Sequence, residues 1–435
     1  MKKIVKASVL TLGCRVNQYE SDAIMQELSK NGVSICSKDE ICDIYIINTC
    51  TVTAESDRKS RQFIRRCISK NPNAVIIVTG CYSQINPEEA FNIDGVDFVC
   101  GNNGKSVIAK KALKLLENKS EKSIFMPDIY NVEFDKMLVG APMNRTRAFI
   151  KIQDGCDSKC AYCIIPKARG SVRSDTKDNI IFQVKQAVSQ GCKEVVLTGI
   201  ETASYGKDLK NGYSLCSLLC DVNQIEGLER IRLGSIDPVE ITKSFVDGIK
   251  SLDKVMPHFH ISMQSGCTRT LNMMKRKYNI DMARSNIEYL KSQIPNVMLS
   301  ADVITGFPGE TDDDFMQTMN FFESQKFMHL HIFPYSRRKG TLAYSMPDQI
   351  DESVKKSRLK RLSEMQAEIR ASIYDEYVKS HDYAYALFET FDGESLVGHT
   401  DNFIEITVKS SQDLSGKICK VKLLSSDSER VYGEF

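Results

Sequence analysis

The stretch Gln153-Asp154-Gly155-Cys156-Asp157-Ser158-Lys159-Cys160-Ala161-Tyr162-Cys163 sets three cysteines on one short loop in the pattern Cys-x3-Cys-x2-Cys. It follows directly on residues 148–153, an apolar run with strand character. Three thiolates this close can each hold one iron of a 4Fe-4S cube and leave the fourth iron open, where a substrate can bind. A structural zinc site needs four ligands, and no further cysteine or nearby histidine completes this set.

Outward from the loop, strand-like runs recur near residues 194–198, 229–233, 259–263, 298–304 and 329–333. With the first run they make roughly six β/α units, which predicts a full or partial barrel whose ligands sit at the strand ends. Upstream, strand-like residues 5–12, 43–48 and 74–79 alternate with helix-like residues 20–31 and 53–70, which predicts a parallel sheet flanked by helices. Cys14, Cys50 and Cys81 each follow one of these strands, at the edge where loops of such a sheet converge on a ligand. Spacing alone fits three ordinary half-buried cysteines equally well, whereas position makes them candidate ligands of a second cluster. Residues 105–144 lose periodicity around Pro127 and Pro142, so a domain boundary is expected near their end. Residues 351–380 read as a long helix with Val354, Leu359, Leu362, Met365, Ile369 and Ile373 inward. Five short alternating strands follow and predict a small β-barrel of a kind that often carries RNA-binding loops. The fold class is therefore α/β in three parts: a parallel-sheet domain over 1–140, a β/α barrel with a connecting helix over 141–372, and a small antiparallel β-barrel over 373–435.

The chain has 435 residues, 42% hydrophobic and 26% charged, and its 58 Lys+Arg nearly cancel 56 Asp+Glu. That balance suits an ordered globular protein and excludes a polybasic binder. Each strong apolar run is strand-sized, which excludes a membrane-spanning helix, and Lys6, Arg15 and Asn17 spoil the faint likeness of the start to a signal peptide. A cytoplasmic protein is expected. Fifteen cysteines in such a chain point to metal binding or catalysis rather than disulfides. Cys36, Cys42, Cys67, Cys100, Cys192, Cys216, Cys220, Cys267 and Cys419 lack a partner pattern and read as small hydrophobes. Local basic clusters at Arg58, Arg61 and Arg65, at Lys167, Arg169 and Arg173, and at Arg337, Arg338 and Lys339 are compatible with contacts to RNA phosphates, and equally with solvated charged faces.

The Cys156, Cys160, Cys163 pattern resembles the radical S-adenosylmethionine (SAM) superfamily, in which the open iron is chelated by SAM. The resemblance implies SAM contacts at Gly199 and Glu201 in Thr198-Gly199-Ile200-Glu201, at Ser235, Asp237, Gln264 and Arg276, and at Ile304 and Gly306 in Asp302-Val303-Ile304-Thr305-Gly306. Glu201 departs from the residue expected there. The order of a three-cysteine domain, this barrel and a terminal β-barrel is similar to the methylthiotransferases, whose last domain is the RNA-binding TRAM module, and Gly398-His399-Thr400-Asp401-Asn402-Phe403 looks like a TRAM signature. That resemblance makes Cys14, Cys50 and Cys81 ligands of an auxiliary cluster. It implies two 4Fe-4S clusters, two SAM per turnover, an electron donor, a sulfur donor and a tRNA anticodon stem-loop as partner. The wording around Cys14 and Cys50 is most like the branch acting on N6-threonylcarbamoyladenosine (t6A), whose reaction converts a C-H bond at tRNA position 37 to C-S-CH3. Methylthiolation of isopentenyladenosine or of a ribosomal-protein aspartate is the alternative within the family. A non-enzymatic, metal-stabilised RNA-binding protein is the alternative outside it.

Overall fold

The computed structural model describes residues 4–130, 132–137 and 146–435. The expected boundary at 140/141 lies outside the described residues.

The N-terminal sheet is wholly parallel, with strands in the order Ser34–Ile35, Lys6–Thr11, Ile44–Thr49, Val75–Gly80, Phe98–Cys100 and Ser123–Phe125. Its central strands are buried on both faces, which is why Ile44–Thr49 and Val75–Gly80 are almost unbroken apolar runs. The chain order along this sheet reverses between the strand that precedes Cys14 and the strand that precedes Cys50. Ligands of open α/β sheets bind at such a reversal, outside the carboxyl ends of the strands.

Two three-stranded parallel sheets follow. Arg147–Lys151, Glu194–Thr198 and Arg230–Leu233 form one, and His258–Gln264, Met298–Thr305 and His329–Pro334 the other. Bridges Ile231 to Val255 and Ile236 to Ile261 join them into a six-stranded partial barrel. Along each strand one alternate set, including Ile150, Leu197, Ile231, Ile261, Ala301 and Leu330, packs in the outer core against the helices. The strand period of two turns the other set inward, and it is largely polar: Arg147, Glu194, Arg232, His258, His260, Asp302 and His331. The interior is thus a polar lumen rather than a packed core.

The helix Glu352–Ser380 serves two cores. Leu362 and Met365 join the barrel core, and Ile373, Tyr374 and Tyr377 join that of the terminal barrel. It runs through the expected boundary at 372/373. Val354 was expected inward but is 37% exposed, because the first two turns instead bury Lys355 and Arg358. Arg358 pairs with Glu310 at 3.0 Å, and Lys355 donates to the Tyr335 carbonyl.

The terminal domain is a closed barrel of Tyr383–Phe391, Ser395–Thr400, Glu405–Lys409, Val431–Glu434 and Ile418–Ser426. It docks on the amino ends of the central strands, opposite the cysteine loops. Arg230 and Arg232 donate to the carbonyls of Tyr385, His399, Thr400 and Asp401. The Phe403 ring lies between His258 and His399, 4.6 and 4.4 Å away, with the Arg232 guanidinium 4.8 Å from its centre. Phe403→Ala is expected to lower stability by about 2 kcal/mol through the lost stacking and cation–π contacts. Thermal unfolding checks this, and a midpoint equal to wild type would contradict it.

Candidate functional site

Each cysteine set is placed by backbone before side chain. At the sheet reversal, Gly13 has φ +97°, and a Cβ there would lie 2.8 Å from the Cys50 Sγ. Gly80 has φ +99°, and its Cβ would lie 2.4 Å from the Thr49 carbonyl oxygen. Glycine at both positions lets the loops carrying Cys14, Cys50 and Cys81 close on one another. The helix Arg15–Lys30 starts earlier than the sequence suggested and takes Cys14 as its N-cap, where the first-turn amides favour a thiolate. Asn102 donates to the Cys81 Sγ at 3.4 Å. Burial pushes the Cys50 thiol up to about 12, and nearby Cys81 adds to this. Burial raises Cys14 too, against the pull of Arg169. Thiols held this way ionise only when a metal centre supplies the compensating charge.

The Cys156–Cys163 loop is pinned at its base, where Gln153–Asp154 pairs antiparallel with Arg173–Ser174. The Ala161 amide donates to the Met274 carbonyl at 2.9 Å, and the Ala343 amide to the Ala161 carbonyl at 2.8 Å. Each sulfur has a donor: the Ser158 amide to Cys156 at 3.4 Å, the Ile165 amide to Cys163 at 3.4 Å, and Arg276 Nη1 to Cys160 at 3.3 Å. Burial pushes Cys163 up to about 12. Such bonds stabilise cluster thiolates and tune their potential. Among the described residues no three Cys, His, Asp or Glu side chains form a group that could hold a single metal ion. A cube makes a different demand, since its ligands go to separate irons. Three cysteines on loops that close on one another, and three on one loop with a donor to each sulfur, fit that demand.

The residues expected around SAM differ in what surrounds them. Glu201, Asp237 and Arg276 converge beside the loop: Arg276 Nη2 donates to Asp237 at 2.7 Å, and the Asp237 amide to Glu201 at 3.2 Å. Burial, with Asp237 repulsion, pushes the Glu201 carboxyl up to about 8 despite Arg276, so a further cation beside it would favour the ionised form. Gly199 lies against Gln153, whose Oε1 would be 2.7 Å from a Cβ there, and the same oxygen accepts from the Glu201 amide at 3.0 Å. Ser235 and Gln264 make no side-chain hydrogen bond among the described residues, and Gln264 sits at φ +64° beside a break in register, a strained conformation of the kind concentrated at ligand sites. Ile304 packs in the small cluster with Ala161 and Phe307. At Gly306 the space a Cβ would fill is taken by Lys355, 2.4 Å away, while its amide donates to Glu310.

The two loops are tied together by a buried charge network invisible in the sequence. Arg169, which the sequence reads as either an RNA contact or a solvated surface charge, is fully buried, and Arg173 is buried too. Arg169 pairs with Glu20 at 2.6 Å and Asp154 at 3.1 Å, and it donates to Asn17. Lys151 pairs with Glu20 at 2.9 Å and Asp154 at 2.7 Å, and Lys105 pairs with Glu20. Asn102, the donor to Cys81, also donates to the Ala168 carbonyl at 2.7 Å. Arg338 is likewise buried against Asp57 and Thr51, beside Cys50. Arg58 remains on the surface, paired with Glu55.

Residues 6–101 match the uncharacterized protein family UPF0004, and residues 150–322 match the radical SAM superfamily. The chain is 41% identical to the threonylcarbamoyladenosine tRNA methylthiotransferase MtaB of Bacillus subtilis, over 98% of this chain and 95% of that protein. It belongs to the MtaB-type radical SAM methylthiotransferases. Membership sets aside the non-enzymatic reading. The tRNA-2-methylthio-N(6)-dimethylallyladenosine synthase of Thermoanaerobacter pseudethanolicus is 32% identical over 98% of this chain and 91% of that protein. Among solved structures, the radical SAM methyltransferase TsrM from Kitasatospora setae, with cobalamin and a [4Fe-4S] cluster bound, aligns at TM-score 0.59 over 78% of this chain and 77% of its own, at 13% identity. That likeness establishes the fold. The methylthiotransferase core therefore faces a polar lumen, and no described helix is long and apolar enough to cross a membrane. The lumen residues His260, Asp302 and His331 are not site residues in the sequence reading, although polar groups at alternate positions of barrel strands are the signal that marks them; Arg15, on a helix, carries no such signal.

Proposed function

We propose that this methylthiotransferase converts t6A at tRNA position 37 to its 2-methylthio derivative, using a radical-SAM cluster on Cys156, Cys160 and Cys163 and an auxiliary cluster on Cys14, Cys50 and Cys81. The observation that carries the reading is the placement of two three-cysteine sets at the carboxyl ends of two parallel sheets, locked to each other through Asn102 and Arg169. The choice of t6A over isopentenyladenosine is supported by the higher identity to the relative named for threonylcarbamoyladenosine, 41% against 32%. When bound, the clusters and two SAM molecules supply the radical and the methylthio group, with sulfur and electrons delivered by outside donors.

The chain's own residues bind and orient. Glu201 and Asp237 offer carboxylates to the SAM amine. Arg276 holds Asp237 and the Cys160 sulfur in one arrangement, so that the loop and the SAM pocket move together. Gly199, Ser235, Gln264, Ile304 and Gly306 line the strand ends through which SAM and the target base approach. The terminal barrel closes the far end of the lumen and keeps the reacting carbon away from bulk water, which leaves the hard chemistry to the cofactors.

Anaerobically reconstituted protein with SAM and a reductant is expected to give 2-methylthio-t6A in digested t6A-containing tRNA, detected by mass spectrometry. Conversion of isopentenyladenosine tRNA but not t6A tRNA would overturn the substrate assignment.

A further inference from the structure

Arg15 follows Cys14 at the start of its helix, where the charged groups of the barrel lumen act on it. Its side chain is open to solvent-sized space, yet Arg147, Arg232, Glu194 and Asp302 surround it closely enough to act on its charge. Burial and the two guanidiniums make that charge less stable than usual. Glu194 and Asp302 offset part of this, but each carboxylate has a nearer partner of its own. Glu194 accepts Arg147 at 3.0 Å and Arg232 at 2.9 Å, and Asp302 faces His260 at 3.2 Å. Arg147 is further tied to Glu389, and Arg232 to the Thr400 carbonyl. Arg15 itself makes no hydrogen bond or ion pair among the described residues. His331, on the opposite wall beside His260, is held toward its neutral form by burial and by His260. Arg15 thus offers five donors to the lumen, next to Cys14, with no hydrogen-bond acceptor of its own among the described residues.

We propose that Arg15 is the specificity-determining residue that receives the carboxylate of the threonylcarbamoyl group, a bidentate partner for the one anion on the modified base. The inference rests on the t6A reading above and names how that substrate is told from a neutral one. The threonylcarbamoyl group hangs from N6, on the same edge of the adenine as the C2 carbon that is modified. A base placed with C2 toward the Cys14 loop therefore brings its N6 substituent to the residue beside that loop. An isopentenyl group in the same place would leave Arg15 buried against hydrocarbon with no partner, and sites built to bind a polar group reject the analogue that lacks it.

The test uses the reconstituted full-length protein and two anticodon stem-loop RNAs, one carrying t6A and one in which the threonine carboxylate is a primary amide. Wild type is expected to bind and convert the acid in preference to the amide by roughly 10- to 100-fold, the range of a charged hydrogen-bonded pair. Arg15→Gln is expected to erase that preference by weakening only the acid, and Arg15→Lys to keep much of it, with iron per chain unchanged. A merely structural role for Arg15 would weaken both RNAs alike. Equal treatment of acid and amide by wild type, or a full preference surviving in Arg15→Gln, would overturn the proposal. Should Arg15→Gln lose iron, the wild-type comparison and Arg15→Lys decide it. Failure of the underlying reading looks different: neither RNA acquires a methylthio group from wild type, while SAM is still cleaved.

Discussion

Glu20→Gln is expected to destabilise the protein by about 3–5 kcal/mol, the usual result of removing one member of a buried ion network. The Glu20 carboxylate is fully buried and accepts from Lys105, Lys151 and Arg169 at once. Without its charge Lys151 and Arg169 are left with Asp154 alone and Lys105 with no carboxylate among the described residues, and nothing replaces the lost water around them. The same network ties the N-terminal sheet to the barrel, so the loss falls on the surface that sets one cysteine loop against the other. Burial would raise the Glu20 carboxyl, but Arg169, Lys105 and Lys151 outweigh it and hold Glu20 well below its ordinary 4.5. The stability it contributes is therefore complete above about pH 4.5 and falls away as the pH drops toward the depressed folded value. Urea unfolding at pH 7 and pH 4 measures both effects: wild type should lose stability between them, and Glu20→Gln should start lower and lose less. A variant as stable as wild type at pH 7 would contradict the role given to this network.

The difference between what the sequence disclosed and what it hid follows from distance along the chain. Cys156, Cys160 and Cys163 lie in one loop, so spacing alone stated their chemistry. Cys14, Cys50 and Cys81 were placed by the strands before them. Their meeting at the point where strand order reverses depends on Ser34–Ile35, a two-residue strand too short to show any periodicity. Arg169 looked like a surface cation because its partner Glu20 is 149 residues away, and a local run of Lys and Arg does not report such a partner. Cys267 and Cys100, read as small hydrophobes, are indeed buried. The terminal barrel was legible as five strands, but not its docking on the amino ends of the central strands, since Phe403 and His258, which stack there, lie in different domains and far apart in the chain.

Cys50→Ala and Cys156→Ala are expected to fail in different ways, and the difference separates the two halves of the chemistry. Each removes a single small side chain, of which Cys50 is buried and Cys156 half-buried, so both variants should fold, at a cost of about 1 kcal/mol or less. Each should lower the reconstituted iron from about eight to about four per chain, because a cube with only two protein ligands is not retained. Cys156 shares its loop with Cys160, whose sulfur receives Arg276, the same residue that holds Asp237. Losing it removes the anchor of the SAM pocket, and cleavage of SAM to 5′-deoxyadenosine should stop. Cys50 lies on the other sheet, against Gly13 and beside Cys81. Its loss leaves the Cys156 loop, its backbone donors and the Glu201–Asp237–Arg276 group in place. Cys50→Ala should therefore still cleave SAM while forming no methylthio product. Retention of full methylthio product by Cys50→Ala, or loss of SAM cleavage in it with the other cluster intact, would show that the two cysteine sets do not divide the work as their separate sheets imply.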